Sequence, residues 1–238
     1  MLVLGIEASG NSASVALVKA GHTLASVTRP DRHGHASWIT EMVDELLADA
    51  TSDFAAISHV AVGCGPGSFT GIRVGLAAAH GYGLGLDIPV LGVSSLAALA
   101  HGSHAGDEAD HLSLALIDTR RGNIFAQGFF GGREISDVVD VPHDELADHI
   151  PALISGDHDL GAAGCRIDGF AATEIAGILT QRGVAIIDAQ DKDPDAIMAA
   201  KMVTSQLMDG ALASDFPATP RYHSAPLLGP LKAKPADG

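Results

Sequence analysis

The sequence predicts an α/β protein of two lobes, and three observations carry that prediction. Short apolar runs of strand type alternate with segments of helical periodicity. The order of strands, helix, strand and helix gives way to a second set of strands after a polar loop at 101–110. The chain has 238 residues, 47% of them apolar, which suits one large domain or two lobes of about 100 residues each. The lobes are expected at 1–100 and 101–215, with a proline-rich tail at 216–238. A helix near 194–210 is free to pack back on the first lobe.

Leu2–Ile6, Ala13–Lys19 and Thr23–Thr28 read as strands, separated by turns at Ser9-Gly10-Asn11 and Ala20-Gly21-His22. Trp38, Ile39, Met42, Val43, Leu46 and Leu47 then recur on one helical face, with Glu41, Asp44, Glu45 and Asp49 on much of the rest. Val60–Val62 is a strand that runs into Gly63-Cys64-Gly65-Pro66-Gly67 and a helix from about Ser68 to Leu86. Val90–Val93 closes the first lobe. In the second lobe, Leu112–Asp118 and Asn123–Phe130 are strands, Gly131-Gly132 is a hairpin turn, and Val138–Val141 is a further strand. A helix at Asp144–Ile150 and a short strand at Ala152–Ser155 follow. The last helix is bounded by Asp193 as N-cap, Pro194 at its first position and Gly210 as its stop.

The helix after Ser68 is the most informative element. Small residues recur at Gly67, Gly71, Gly75, Ala79 and Gly83. Glycine within a helix costs roughly 1 kcal/mol against alanine, so Gly71, Gly75, Gly81 and Gly83 cost about 4 kcal/mol together. Close approach of another backbone would offset that. With the stripe facing outward, Gly75→Leu should spare the fold and abolish association with a partner.

Composition excludes several roles. The formal charge of −15 repels phosphate backbones, and Arg120-Arg121 and Lys232/Lys234 are the main concentrations of positive charge. Nucleic acid is therefore expected to be reached only through a basic partner. No apolar run of about 18 residues appears, so no membrane span is expected, and Met1–Ile6 reads as a core strand rather than a signal peptide. Cys64 and Cys165 lack metal-ligand spacing and suit a reduced cytoplasmic setting as buried thiols.

Other candidate chemistry resolves into plainer roles. His101, His104, Asp107, Asp110 and His111 read as a solvated loop rather than a metal cluster. His33 and His35, beside Arg32, suit the approach to a helix N-terminus. Asp118 suits loop building, and Ser68 helix capping. Ser155-Gly156-Asp157 and Gly161-Ala162-Ala163-Gly164 are read as turns.

The chain resembles the TsaB (YeaZ) family. The matching segments are Leu4-Gly5-Ile6-Glu7-Ala8-Ser9, Ala13-Ser14-Val15-Ala16-Leu17, Gly65-Pro66-Gly67-Ser68-Phe69-Thr70-Gly71-Ile72-Arg73 and Ile88-Pro89-Val90-Leu91-Gly92-Val93-Ser94-Ser95-Leu96. They continue through Ile117-Asp118-Thr119-Arg120-Arg121-Gly122-Asn123-Ile124-Phe125-Ala126 and end at Pro220-Arg221-Tyr222. Departures fall at Glu7, where the family usually has aspartate, and at His223-Ser224, where Leu-Arg is usual.

The resemblance implies the two-lobed fold of actin, sugar kinases and Hsp70, shared with TsaD. It implies a non-catalytic scaffold or dimerisation subunit for threonylcarbamoyladenosine modification of tRNAs that read ANN codons. The implied partners are a TsaD-like subunit and, through the complex, a TsaE-like ATPase, with a homodimer possible through the same surface. The implied docking residues are Trp38, Ile39, Met42, Val43 and Leu46 of the first helix, with Gly71, Gly75, Ala79 and Tyr82 of the second. TsaD carries two metal-binding histidines four residues apart; here those positions fall at Ser95 and Leu99, which are poor ligands. No metal, cofactor or catalytic residue is therefore expected on this chain, and ATP is used by the complex. The alternative is an enzyme of the same fold, a small-molecule kinase or a metal-dependent carbamoyltransferase or peptidase.

Overall fold

The computed structural model describes residues 1–30, 37–104, 111–154 and 164–223, with backbone only for Ser37 and 102–104. Arg32, His33, His35, Asp107, Asp110, Lys232, Lys234 and the turns read at 155–163 lie outside the described residues, as do the side chain of His104 and the tail beyond His223.

The first lobe is built from β1 (Leu2–Glu7), β2 (Ser12–Lys19), β3 (His22–Pro30), α1 (Ser37–Asp49), β4 (His59–Gly63), α2 (Phe69–Leu86) and β5 (Val90–Val93). Its five strands lie in the order β3-β2-β1-β4-β5. The pairs β1–β2 and β2–β3 are antiparallel, whereas β1–β4 and β4–β5 are parallel. The parallel strands need crossover helices, and α1 and α2 supply them on one face. That face holds Leu4, Ile6, Val15, Leu17, Val60 and Val62 against Ile39, Met42, Val43, Leu46, Ile72, Leu76 and Ala79.

After α3 (Ser95–His104), the second lobe runs through β6 (Leu112–Asp118), β7 (Asn123–Phe130), β8 (Arg133–Glu134), β9 (Val139–Pro142), α4 (Leu146–Ile154), β10 (Cys165–Gly169), α5 (Ala172–Gln181) and β11 (Ile186–Asp191). Its sheet has the order β11-β10-β6-β7-β8, with β9 also paired to β7. Helices α4 and α5 cover its outer face. The chain then enters α6 (Ala196–Met208), which returns to the first lobe. There Ala199, Ala200 and Val203 pack on Val3, Val18, Ala61 and Leu91. Gly5 of β1 makes this approach possible, because a Cβ there would lie 2.2 Å from the Ala196 carbonyl oxygen. Helix α3 fills the space between the sheets, with Leu96 and Leu99 among Ala115, Ile117, Phe125, Phe129, Met198 and Met202.

Several boundaries differ from expectation, each for a local reason. The strand expected at Ala152–Ser155 is the end of α4, which continues through Pro151 to Ile154. Proline lacks the N–H that would satisfy the carbonyl four residues back. The Arg182 guanidinium donates to that Ala147 carbonyl at 2.7 Å, and to Asp148 at 2.7 Å. The cap of α6 is Asp195, which accepts from Met198 N at 2.8 Å, not Asp193. Asp193 instead takes the donors of the β1–β2 turn, Asn11 Nδ2 at 3.3 Å and the Ser12 hydroxyl at 3.2 Å. His101 belongs to α3 rather than to the loop. Gly131 and Gly132, both at positive φ, make the hairpin turn as expected.

Candidate functional site: two faces of helix α2 and the inter-lobe cleft

Ser68 caps α2, its hydroxyl accepting from Gly71 N at 3.2 Å. From there the helix presents two faces of different character. On the inner face, Cβ atoms at Gly67 and Gly71 would fall 2.4 Å from the Ser9 carbonyl oxygen and 1.8 Å from that of Ala8. Ser68 N donates to the same Ser9 carbonyl at 2.8 Å. Gly75 faces Ala8, Val62 and Ile6, with 3.7–3.9 Å for a Cβ. Ala79 is fully enclosed, and a Cβ on Gly83 would meet Val90 at 2.3 Å. The backbone that the small-residue stripe requires is thus the chain's own.

This corrects the expected docking set. Ile39, Met42, Val43, Leu46, Gly75 and Ala79 are buried in the first lobe, because the parallel strands beneath need an apolar cover. As side chains they are not available to a partner, and Gly71 is closed over by Ala8. Trp38 and Tyr82 are half-buried at the edge of the same core, where Tyr82 stacks on Phe54 with ring centroids 5.9 Å apart. Gly75→Leu would therefore strike the core, contrary to the expectation that it spares the fold.

The outer face of α2 carries Thr70, Arg73, Ala77, His80, Gly81, Leu84 and Gly85, all exposed. Cβ atoms at Gly81 and Gly85 would meet nothing within 4 Å. Leu84 stands 87% exposed beside them. Sequence reasoning counted Gly81 in the total cost of the helix but did not place it on its own face. The signal was available: at 100° per residue, Gly81 lies about 200° round the helix from Gly83. Beside this surface α1 shows an acidic outer side of Glu41, Asp44, Glu45 and Asp49, with Arg29 bridging Glu41 and Glu45 at 3.2 and 2.8 Å.

Near the cleft, Ser95 and Leu99 sit on α3 and are fully buried. The Ser95 hydroxyl donates to Glu7 Oε2 at 2.9 Å and accepts from the Ser9 hydroxyl at 2.9 Å. Leu99 is part of the core between the lobes. Glu7 also accepts from the Ala8 and Ser9 N–H groups at 2.8 and 2.7 Å. Burial raises its pKa above the ordinary value near 4.5, and these hydrogen bonds oppose the rise. Its longer side chain fits because a Cβ on Gly63 would occupy the place of the carboxylate. Among the described residues, no three His, Cys, Asp or Glu side chains converge as metal ligands.

The remaining expected roles divide cleanly. Asp118 accepts from Arg120 N at 2.7 Å and shapes the β6–β7 turn. Burial pushes the Cys64 thiol up to about 11 and Cys165 to about 12, so both are inert as nucleophiles near neutral pH. Among the described residues, no helix is long and apolar enough to cross a membrane.

The cleft itself holds a cavity of about 520 Å³ between the first turn of α2, the β6–β7 turn and the segment Arg221–His223. That segment is anchored on both sides. Arg221 N donates to the Cys64 carbonyl at 2.8 Å, and Arg73 Nε donates to the Tyr222 hydroxyl at 3.0 Å. His223 meets Phe125 edge-on, with ring centroids 6.4 Å apart.

Comparison with known proteins places the chain. Residues 22–174 match the family model described as "TsaD: tRNA N6-adenosine threonylcarbamoyltransferase". The tRNA threonylcarbamoyladenosine biosynthesis protein TsaB of Escherichia coli is 36% identical over 125 residues, which cover 52% of this chain and 53% of that protein. The chain spans about half the length of the curated relatives it matches. YeaZ from Pseudomonas aeruginosa superposes with a TM-score of 0.70 at 24% identity, covering 93% of this chain and 99% of that one. A ROK hexokinase from Thermus thermophilus superposes at 0.51 with 14% identity, over 88% of this chain and 100% of the other. These likenesses establish the two-lobed fold of actin, sugar kinases and Hsp70.

Proposed function

The chain belongs to the TsaD family, within its TsaB/YeaZ branch, and from that premise we propose that it is a non-catalytic subunit in the threonylcarbamoyladenosine modification of tRNA. Its task is to dock a TsaD-like partner through the outer face of α2 and the adjoining side of α1. A TsaE-like ATPase and tRNA join through the assembled complex rather than through this chain alone.

The observation that carries this reading is the outer face of α2. Gly81 and Gly85 each cost roughly 1 kcal/mol in helix propensity, and nothing within the protomer uses the space they leave. Small side chains flanked by Leu84 let a helix of another subunit come close and bury apolar surface. The corresponding metal positions support the non-catalytic part. Ser95 is bonded to Glu7, and Leu99 belongs to the core, so neither offers a ligand to a metal. The −15 charge argues for reaching tRNA through a partner.

Reconstitution tests the reading. With TsaD-like and TsaE-like subunits, ATP and tRNA supplied, leaving out this chain should abolish product, and adding it back should restore product. Stoichiometric metal in the isolated chain, or steady ATP hydrolysis by it, would instead favour an enzyme of the same fold.

A further inference from the structure

Gln127 is out of keeping with its row. By strand alternation it shares a face of β7 with Phe125 and Phe129, and both phenylalanines pack in the core beside α3. Gln127 itself is only 3% exposed. Its Nε2 donates to the Ser136 carbonyl at 3.0 Å, which fixes the orientation of the amide. Its Oε1 has no donor among the described residues. A buried carbonyl oxygen without a donor is destabilising, and a ligand carrying N–H groups would relieve it.

That side chain lines a second cavity, of about 390 Å³. The walls are the segment Pro220–His223, β8 with the loop after it, and Ser94 just before α3. No residue of α2 or of the β6–β7 turn is among its described lining residues. Ser94 is 5% exposed, and its Oγ accepts from Ala97 N at 3.3 Å. Its hydroxyl proton therefore remains available to a ligand. Glu134, Asp137 and Arg221 stand at the exposed rim. Opposite charges around one cavity would be expected to pair, yet among the described residues none of the three enters an ion pair or a side-chain hydrogen bond.

We infer that this cavity binds a free α-amino acid, its ammonium group donating to Gln127 Oε1, Glu134 and Asp137 and its carboxylate held by Arg221 and the Ser94 hydroxyl. A protonated amine has three N–H donors, which matches the three acceptors, and a guanidinium takes a carboxylate through two parallel bonds. A zwitterion thus satisfies both signs of charge at once. Val138 and Tyr222 line the rest of the wall, which suits an aliphatic side chain. The volume lies within the range of about 300–1,000 Å³ usual for small-ligand sites. The inference is independent of partner docking, which uses the outer face of α2.

Titration of the purified full chain with L-leucine tests it, followed through the Gln127 side-chain amide in nitrogen–proton correlation spectra. Those resonances should shift and saturate. N-acetyl-leucine lacks the ammonium and leucinamide lacks the carboxylate, so each should bind about tenfold or more weakly than leucine. Glu134→Gln combined with Asp137→Asn should collapse the preference over N-acetyl-leucine and keep that over leucinamide, whereas Arg221→Gln should do the reverse. These positions are exposed, so the melting temperatures should be unchanged. Absence of a saturable shift, equal affinity for the three compounds, or variants that alter both preferences alike would overturn the inference. Tighter binding of methylamine than of leucine would mark a site for cations alone and would overturn it too.

Discussion

On its inner side, helix α2 carries no side chain at Gly71, and the turn before its cap carries none at Gly67, so that the Ala8 and Ser9 carbonyls come within contact there while Ile72 and Leu76 fill the core. On its outer side, Gly81 and Gly85 face open space. The residue type is the same on both sides, but the energetic accounts differ. The inner glycines are offset by the docking of the β1–β2 turn and by the core beneath. The outer glycines carry the same propensity cost with no return inside the protomer. A glycine row in a sequence therefore signals close approach without saying whose backbone approaches; that depends on which side of the helix the row occupies.

Substitutions on the two sides should behave oppositely. The largest effect is expected at Gly71→Ala, where the new Cβ would sit 1.8 Å from a carbonyl oxygen that only backbone movement can displace. The loss should be about 3 kcal/mol or more, read as a lowered urea midpoint. Gly75→Leu should cost roughly 1–3 kcal/mol by overpacking against Ile6 and Val62, and a variant as stable as wild type would break the inner assignment. Gly85→Ala is expected to raise stability by roughly 1 kcal/mol, seen as a higher melting temperature. A fall there would mean that the outer face is occupied within the chain.

Glu7 sharpens the inner side further, because it holds the Ala8–Ser9 turn that the glycines receive. Its pKa is raised in the folded state, so the proton is bound more tightly there than in the unfolded chain. Its contribution is fully present below about pH 4.5 and is lost as pH rises through the folded-state value. Glu7→Gln can keep the N–H contacts through its carbonyl and reverse the Ser95 bond. The stability difference between variant and wild type should shift in the variant's favour as pH rises from 4.5 toward 7 in urea titrations at successive pH values. A difference that does not change with pH would contradict the burial of an ionisable group at this position.

Much of the fold was legible because strand periodicity and turn chemistry are local. Leu112–Asp118, Asn123–Phe130 and the Gly131-Gly132 turn follow from apolar runs bounded by turn residues. Strand β10, helix α5 and strand β11 were not anticipated, nor was α3, whose Leu-Ala-Ala-Leu-Ala run has too few polar residues to show a face. Pro151 made the end of α4 look like a break, because the compensating Arg182 lies thirty-one residues downstream by numbering. The site was harder still. Apolar spacing located the α1 face correctly as a continuous stripe, but spacing alone does not distinguish a stripe facing a sheet from one facing another subunit. The cavity could not be read at all, since Ser68, Arg121 and Arg221 meet only through tertiary folding.

The most direct test of the central claim is the affinity of the TsaD-type subunit from the same organism for the wild-type chain and for Gly81→Leu, measured by titration calorimetry beside thermal melts. A side chain planted on the outer face should leave the melting temperature unchanged or higher and weaken the complex by about a hundredfold or more. An equally stable variant that binds the partner as tightly as wild type would contradict the assignment of that face as the docking surface.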